Sequence, residues 1–503
     1  MSEPSSSLIR ETYPLIPPFS YALVATDPES KQTKYTVVEV PLSTKEKDIL
    51  DMIKNILEEE LDVDFNVLKT PEIARDYLRS KVIGIAKNYG LKLDEKTFDK
   101  INYHIARDFV GFGPIDAMLK DHNVEDISCD GVGIPVYIWH RKFESIQTNI
   151  KFEEEDALDA FIIKLAQRSG RHISVARPLL DAALPDGSRL QLTYGREVTQ
   201  RGSTFTIRKF KSDPLTITDM VIFNTIDEDL SAFLWYVLEN RNSIVIAGGT
   251  AAGKTSLLNS LAMFIRPGMK IVSIEDTAEL NLPHENWIPA VAREGYGGRE
   301  ADGSRRGEVS MYDLLRAALR QRPDYLFVGE VRGSEAYNLF QAMATGHTGM
   351  GTIHGDSVTG TIRRLENEPM NIPRTLIQTL NIILVERKIR RGDKQVRRVI
   401  ECTEIVGIDP VTTELITNKV FGWNAREDAF INYGRSYALE GIQESQGLTE
   451  AQVFDELERR KTILRWMVKK KLAHFTQVSE VISSYYQNAL ETVDRAKREL
   501  KSI

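Results

Sequence analysis

The sequence predicts an α/β protein whose largest domain is a doubly wound, largely parallel sheet, preceded by a smaller α+β domain and followed by a helical appendage. Three observations carry this. Between Ile226 and Asp409 the apolar runs "SIVIAG", "KIVSIE" and "YLFVGE" are separated by helix-forming stretches, the layout of parallel strands joined by crossover helices. From Asp76 to Ile207 helical text such as "EEEDALDAFIIKLAQRSG" alternates with short strands such as "PVYIWH" and "SRLQLTYG". The end of the chain, "ERRKTILRWMVKKKLAHF" and then "VSEVISSYYQNALETVDRAKREL", has helical periodicity.

Taken in order, residues 1–75 form an N-terminal module with a disordered start, "MSEPSSS". The prolines of "YPLIPPF" rule out helix, and "SKQTKYTVVEV" reads as a strand. Ser43 precedes Glu46 by three residues, a capping box, and Ile49, Ile53, Ile56 and Leu57 then share one helical face. Residues 76–212 form the α+β domain, and 213–225, around Pro214, a linker. Residues 226–415 form the sheet domain and 416–503 a mainly helical appendage. Near the end of the sheet domain, "NIILVERKIRRGDKQVRRVIECTEI" sets seven Arg or Lys around an Arg-Gly-Asp turn. A hairpin with solvated basic residues and a patch for anionic lipid or nucleic acid are both open readings.

At 503 residues the chain has room for roughly three domains of about 150 residues. A hydrophobic share of 42% with 27% charged residues excludes both a disordered chain and a multi-span membrane protein. The polar start lacks the charged-then-apolar order of a signal peptide, and no apolar run is long enough for a bilayer, so a cytoplasmic protein is expected. The two cysteines, Cys129 and Cys402, lack metal-ligand spacing and read as plain thiols. A net charge of −7 argues against nucleic acid as the main partner.

The chemistry is concentrated in "SIVIAGGTAAGKTSLLNS". Gly248, Gly253, Lys254 and Thr255 fit G-x-x-x-x-G-K-[ST] between a strand and a helix, the place the mechanism demands. Successive backbone N–H groups of Gly248, Gly249, Thr250, Ala251, Ala252 and Gly253 wrap phosphates, Lys254 reaches the β and γ phosphates, and Thr255 and Ser256 open the helix, with the Thr255 hydroxyl on Mg²⁺. Two further strands end in carboxylates, Glu275 in "IVSIEDTAEL" and Glu330 in "YLFVGEVRG", where an open α/β sheet places its ligand. One such group can help hold Mg²⁺ while another orients or deprotonates water. For Asp276 and Glu279 a helix-start acid pair is as good a reading as a functional one. In "PDYLFVGE" a glycine and a glutamate occupy the point where an aspartate usually ends the Walker B strand. His347 and His354, in "ATGHTGMGTIHGDS", lack a third metal ligand of known spacing beyond Asp356; structural histidines and phosphate-facing ones are both open.

The ordered set of the Walker A loop, "IEDTAEL", "LRQRPDYLFVGEVRGSEA" and "TGHTGMGTIH" closely resembles the secretion-superfamily ATPases of type II and type IV secretion, type IV pili and archaeal filaments. Upstream, "GFGPIDAMLKDHNVEDISCDG", "LPDGSRLQLTYG" and "RGSTFTIRKF" resemble that family's N-terminal domain. "IEDTAELNLPHENW", the "IDP" after the hairpin and the long tail are similar to its archaeal branch. The resemblance implies a RecA-like core that hydrolyses ATP with Mg²⁺, with Lys254 and Thr255 on phosphate and metal. It implies Glu275 as general base, Glu330 as the Walker B carboxylate on Mg²⁺ and water, and His347 and His354 in phosphate sensing or inter-domain contact. It further implies Arg201 and Arg208 as arginine fingers, with Arg189 a weaker candidate and Arg293 and Arg332 as further contacts; without it, these would be ordinary exposed arginines. Its partners would be a homo-hexamer, a polytopic membrane platform protein and, indirectly, pilin-like subunits, with the chain peripheral to the cytoplasmic membrane. The rival expectation is a RecA-like nucleic-acid translocase or helicase.

Overall fold

The computed structural model describes residues 8–60, 70–210, 213–293, 295–299, 305–392 and 394–502. The stretch 1–7, expected to be disordered, and Asp393 of the basic turn lie outside the described residues. The chain divides into two compact units after Phe210.

The first unit carries nine strands: β1 (Leu8–Ile16), β2 (Ser20–Thr26), β3 (Thr33–Glu39), β4 (Val124–Cys129), β5 (Pro135–His140), β6 (Glu144–Lys151), β7 (Leu179–Ala183), β8 (Arg189–Thr193) and β9 (Thr204–Arg208). They form one sheet in the order β1-β2-β3-β6-β5-β4-β9-β8-β7, antiparallel except where β3 joins β6. Helices α1 (Thr44–Glu60), α2 (Pro71–Asn88) and α3 (Glu95–Phe109) make a bundle around Leu50, Ile53, Leu57, Leu78, Val82 and Ile101. Ser43 and Glu46 exchange both hydrogen bonds of the capping box that starts α1. Helices α4 (Asp116–Lys120) and α5 (Glu155–Arg168) cover the sheet, with Phe152, Phe161 and Phe205 packed ring on ring beneath α5.

In the second unit the stretch expected as a linker forms a helix, α6 (Ile217–Ile222), because Thr216 and Asp219 make a capping box and Ile217 and Met220 are buried. Helix α7 (Glu228–Glu239) follows. The main sheet contains β10 (Ile244–Gly248), β11 (Ile271–Glu275), β12 (Trp287–Val291), β15 (Tyr325–Val331), β16 (Thr348–His354), β17 (Ile382–Arg391), β18 (Lys394–Ile408), β19 (Leu415–Asn424) and β20 (Ala429–Asn432); β13 (Tyr296–Arg299) and β14 (Arg305–Arg306) form a separate hairpin. Strand order is β12-β11-β15-β16-β10-β17-β18-β19-β20, parallel as far as β17 and antiparallel beyond. Helices α8 (Lys254–Ala262), α9 (Met311–Leu319), α10 (Glu335–Ala344), α11 (Val358–Glu366), α12 (Arg374–Ile377), α13 (Tyr437–Gln446), α14 (Glu450–Lys470), α15 (Phe475–Gln487) and α16 (Ala489–Leu500) complete the unit.

The apolar runs explain why both faces are covered. Along β10, Ile244 and Ile246 face one core with α7, α8, α14 and α15, while Val245 and Ala247 face another with α9, α10 and α11. Strands buried on both sides need continuous rather than alternating hydrophobicity. Residues 415–432, mostly inside the stretch expected as mainly helical, are β19 and β20, and helix begins at Tyr437. The segment after Glu275 also differs from the helix-start reading of Asp276 and Glu279. No helix forms between Asp276 and Asn286, since Pro283 interrupts the run and the chain instead turns toward β12.

Candidate nucleotide-binding site

The C-terminal ends of β10, β11, β15 and β16 gather Lys254, Glu275, Glu330 and His354 of the sequence-predicted residues. Between β10 and α8, Gly253 stands at φ +113°, a backbone conformation that side chains resist, and Lys254 and Thr255 begin the helix. The N–H groups of that first turn have no intrahelical partners, which makes the loop an anion cradle. Lys254 donates from Nζ to the Gly249 carbonyl at 3.0 Å, folding over the loop that it serves. Burial pulls its pKa down, against the opposing pull of the Glu330 and Glu386 carboxylates.

Glu275 ends β11 and is 2% exposed. Its Oε1 accepts the N–H groups of Glu279 and Leu280, each at 3.0 Å, which fixes the carboxylate with backbone. On the adjacent strand, a Cβ at Gly329 would lie 3.0 Å from Glu275 Cγ. The glycine before Glu330 is therefore the space Glu275 occupies.

Glu330 lies beside it in β15, with the side chain 30% exposed. The β15–β16 register shifts between Val328 and Val331, and Thr352 donates to the Gly329 carbonyl at 2.6 Å. This bulge bends the strand at the carboxylate, a common way to re-aim a side chain. Arg332 donates to Glu330 Oε2 at 2.6 Å and comes within 3.6 Å of Asp276. Burial alone would raise the Glu330 pKa, but the Arg332 hydrogen bond and charge, with Lys254 and His354, hold it below the usual value. The acid is ionised at neutral pH.

His354 ends β16 in register with Gly248, and Gly355 donates to the Gly248 carbonyl at 3.3 Å. His347 precedes β16 at its other end, where its N–H bonds the Ala342 carbonyl and its ring meets the Thr345 hydroxyl. At about 3.3 Å per residue the two histidines stand roughly 20 Å apart along the strand. The structure brings His354 to the loop between β10 and α8 and sets His347 at the opposite end of β16.

The Thr255 hydroxyl and the ionised Glu330 carboxylate are hard oxygen donors, and a cation such as Mg²⁺ that binds through one or two carboxylates plus substrate phosphates would fit them. Among the described residues no cluster of three or more His, Cys, Asp and Glu forms a self-sufficient metal cage.

In the first unit, Arg208 ends β9 between Asp126 of β4 and Arg189 of β8, with which it is in register. Its Nε donates to Asp126 Oδ1 at 3.0 Å, and the side chain is 63% exposed. Arg201 is exposed in the turn before β9, its carbonyl bonded to the Val132 N–H at 2.9 Å. Arg189 and Arg208 are neighbours; Arg201 stands at the other end of the strand.

The basic hairpin forms as β17 and β18, and much of its charge is committed internally. Arg398 is buried and holds Asp428 through two hydrogen bonds, Arg387 donates to the Asp356 carbonyl, and Arg397 to the Ala251 carbonyl of the phosphate loop. Sequence reasoning passed over one residue here, Glu386. The signal was present: "NIILVE" is a third apolar run that ends in glutamate.

The sequence profile of the type II/IV secretion system protein family matches residues 111–498. An uncharacterised protein of Methanocaldococcus jannaschii, MJ0900, is 36% identical over 502 residues, covering 95% of this chain and 89% of that one. The type IV secretion system protein PtlH of Bordetella pertussis is 31% identical over 279 residues, 49% of this chain and 80% of its own. Among solved structures, the Legionella pneumophila ATPase DotB is 19% identical and covers 57% of this chain and 78% of its own, at a TM-score of 0.40, a similarity too low to bear on mechanism. With a profile match across most of its length and a full-length archaeal relative, this chain belongs to the type II/IV secretion system protein family, the secretion ATPases.

Proposed function

We propose that this chain is a Mg²⁺-dependent ATP hydrolase that works as a homo-hexameric motor at the cytoplasmic membrane, driving a type IV pilus-like filament, an archaellum or a pseudopilus-type secretion system. The observation that supports it best is the meeting of Lys254, Glu275, Glu330 and His354 at one end of a parallel sheet, with Glu330 held ionised.

In this reading the phosphates lie along the N–H groups of residues 249–254, with Lys254 released from the Gly249 carbonyl to meet them. Mg²⁺, when bound through Thr255 and Glu330, neutralises charge on the β and γ phosphates. Water attacks the γ-phosphorus, its proton passes to the Glu275 carboxylate, and the bond to the β–γ bridging oxygen breaks to release ADP. Arg332 steers Glu330, and His354 senses the γ-phosphate from the neighbouring strand end. His347, remote from the loop, serves a contact with another domain or protomer. Arg208, with Arg189 beside it, supplies permanent positive charge to the transition state. Loss of the γ-phosphate then ends that contact, and the resulting change is the stroke passed to a platform protein and its pilin-like subunits.

The test is a purified full-length protein assayed for Mg²⁺-dependent ATP turnover and for mass in solution. Lys254→Ala should lower kcat/KM by roughly 10²–10³-fold. A sixfold mass in the presence of nucleotide supports the motor, while strong salt-sensitive stimulation by single-stranded DNA would replace it with a translocase.

A further inference from the structure

Glu386 sits directly behind the phosphate loop. It ends the apolar part of β17, in register with Gly248 of β10, and is 0% exposed. Neither carboxyl oxygen has a hydrogen-bond partner among the described residues. Its backbone and side chain size both glycines of the motif. A Cβ at Gly248 would lie 2.6 Å from the Glu386 carbonyl oxygen, and one at Gly253 would lie 2.5 Å from Oε1. The β17–β18 register shifts at this residue: Val385 faces Glu401 and Glu386 faces Val399, so Ile400 is the extra residue of a bulge.

The charged groups around it come from several elements. Lys254 at the start of α8 and Arg397 of β18 act on it directly. His354 lies across Gly248 at the end of β16, with Asp356 just beyond. Arg387, next on its own strand, is turned to the Asp356 carbonyl. A buried carboxyl without partners is costly and persists only where something explains it.

We propose that Glu386 is a positioning residue of the ATP site, a carboxyl that supports the phosphate loop from behind and must be uncharged for the loop to hold a triphosphate. This rests on the ATPase reading above. An ionised Glu386 competes with the phosphates for Lys254 and repels them across a few ångströms of low-dielectric interior. A neutral one leaves Lys254 to the ligand. Burial pushes this carboxyl up to about 8, with Arg397 and Lys254 pulling the other way. Below that pH the site is ready; above it, binding a triphosphate requires a proton to pass from solvent to the Glu386 carboxylate.

The experiment measures Kd for a non-hydrolysable ATP analogue with Mg²⁺ from pH 7 to 9, in native protein and in Glu386→Gln, an isostere fixed in the uncharged form. The native Kd should rise roughly tenfold over that range, and the variant's by less than about twofold. Because a core variant can fail to fold, calorimetry on native protein in two buffers of different ionisation enthalpy supplies a second measurement. At pH 8 it should show uptake of about half a proton per site. Parallel profiles in the two proteins, or zero uptake with intact binding, overturn this proposal alone. Absence of binding by the native protein overturns it together with the ATPase reading.

Discussion

Two buried ionisable side chains in the second unit are treated in opposite ways. At the helical end, Arg460 of α14 is 1% exposed, pairs with Glu239 of α7 and with Glu456, and lies over the rings of Tyr236, Tyr485 and Trp235 at 4.6, 5.4 and 5.5 Å. At the phosphate end the Glu386 carboxyl has no hydrogen-bond partner among the described residues. Arg460 has opposite charges and ring faces packed about it even though its Nε and Nη1 make no hydrogen bond among the described residues, whereas no salt bridge meets the Glu386 carboxyl there. A carboxyl buried where a ligand's charge will arrive is left without partners.

The contrast can be broken at either end. Glu330→Gln should have the largest effect on activity: turnover falls by roughly 10²–10⁴-fold while nucleotide binding persists, read as kcat against Kd, and near-normal hydrolysis would remove Glu330 from its role on Mg²⁺ and water. Arg460→Ala should cost about 3–5 kcal/mol of stability, since it strands Glu239 and opens a void among the rings of Tyr236, Tyr485 and Trp235, with KM for ATP unmoved in urea-free assays below the melting range. A shifted KM would show that the helical layer is more than scaffold. Glu386→Gln should act on stability in the other direction. Its native carboxyl has a raised pKa, so the folded state holds a proton that the unfolded chain releases. The stability this gives is complete below the ordinary carboxylate pKa and is lost as pH climbs toward about 8. The melting temperature of native protein should therefore fall several degrees relative to the variant between pH 5 and 8. Equal slopes would mean the carboxyl is ionised in the folded state. Gly329→Ala should have the smallest effect, roughly tenfold in kcat, by nudging Glu275 a few tenths of an ångström.

Much of this was legible in the sequence. The motif fixed the phosphate loop because its chemistry allows few substitutes, and strand-end carboxylates pointed to Glu275 and Glu330 because apolar strands rarely end in acids without use. Gly329 was noticed as a departure, but its reason, the Glu275 side chain lying over it, is a relation between two strands about 50 residues apart. Arg460 was hidden in ordinary helical text, since nothing local distinguishes a caged arginine from a solvated one. The basic hairpin read as solvated charge because charge runs usually are, yet Arg398 and Arg397 are bound to Asp428 and Ala251, outside the hairpin. His347 and His354 looked equivalent in one dimension, and a seven-residue strand separates them.

The position of β10 also bears on how the chain is made. Its Ile244 pairs with Met350 and Ile382, both more than a hundred residues downstream, whereas β17 to β20 is a meander of near neighbours. Contacts between distant parts of a chain form late, because loop closure must precede them. On the ribosome the glycine-rich loop emerges before its walls, β16 and β17, so a nascent chain gains its nucleotide site only once synthesis has passed Arg391. ATP added during refolding should then stabilise only the last-formed species and leave the early rate unchanged.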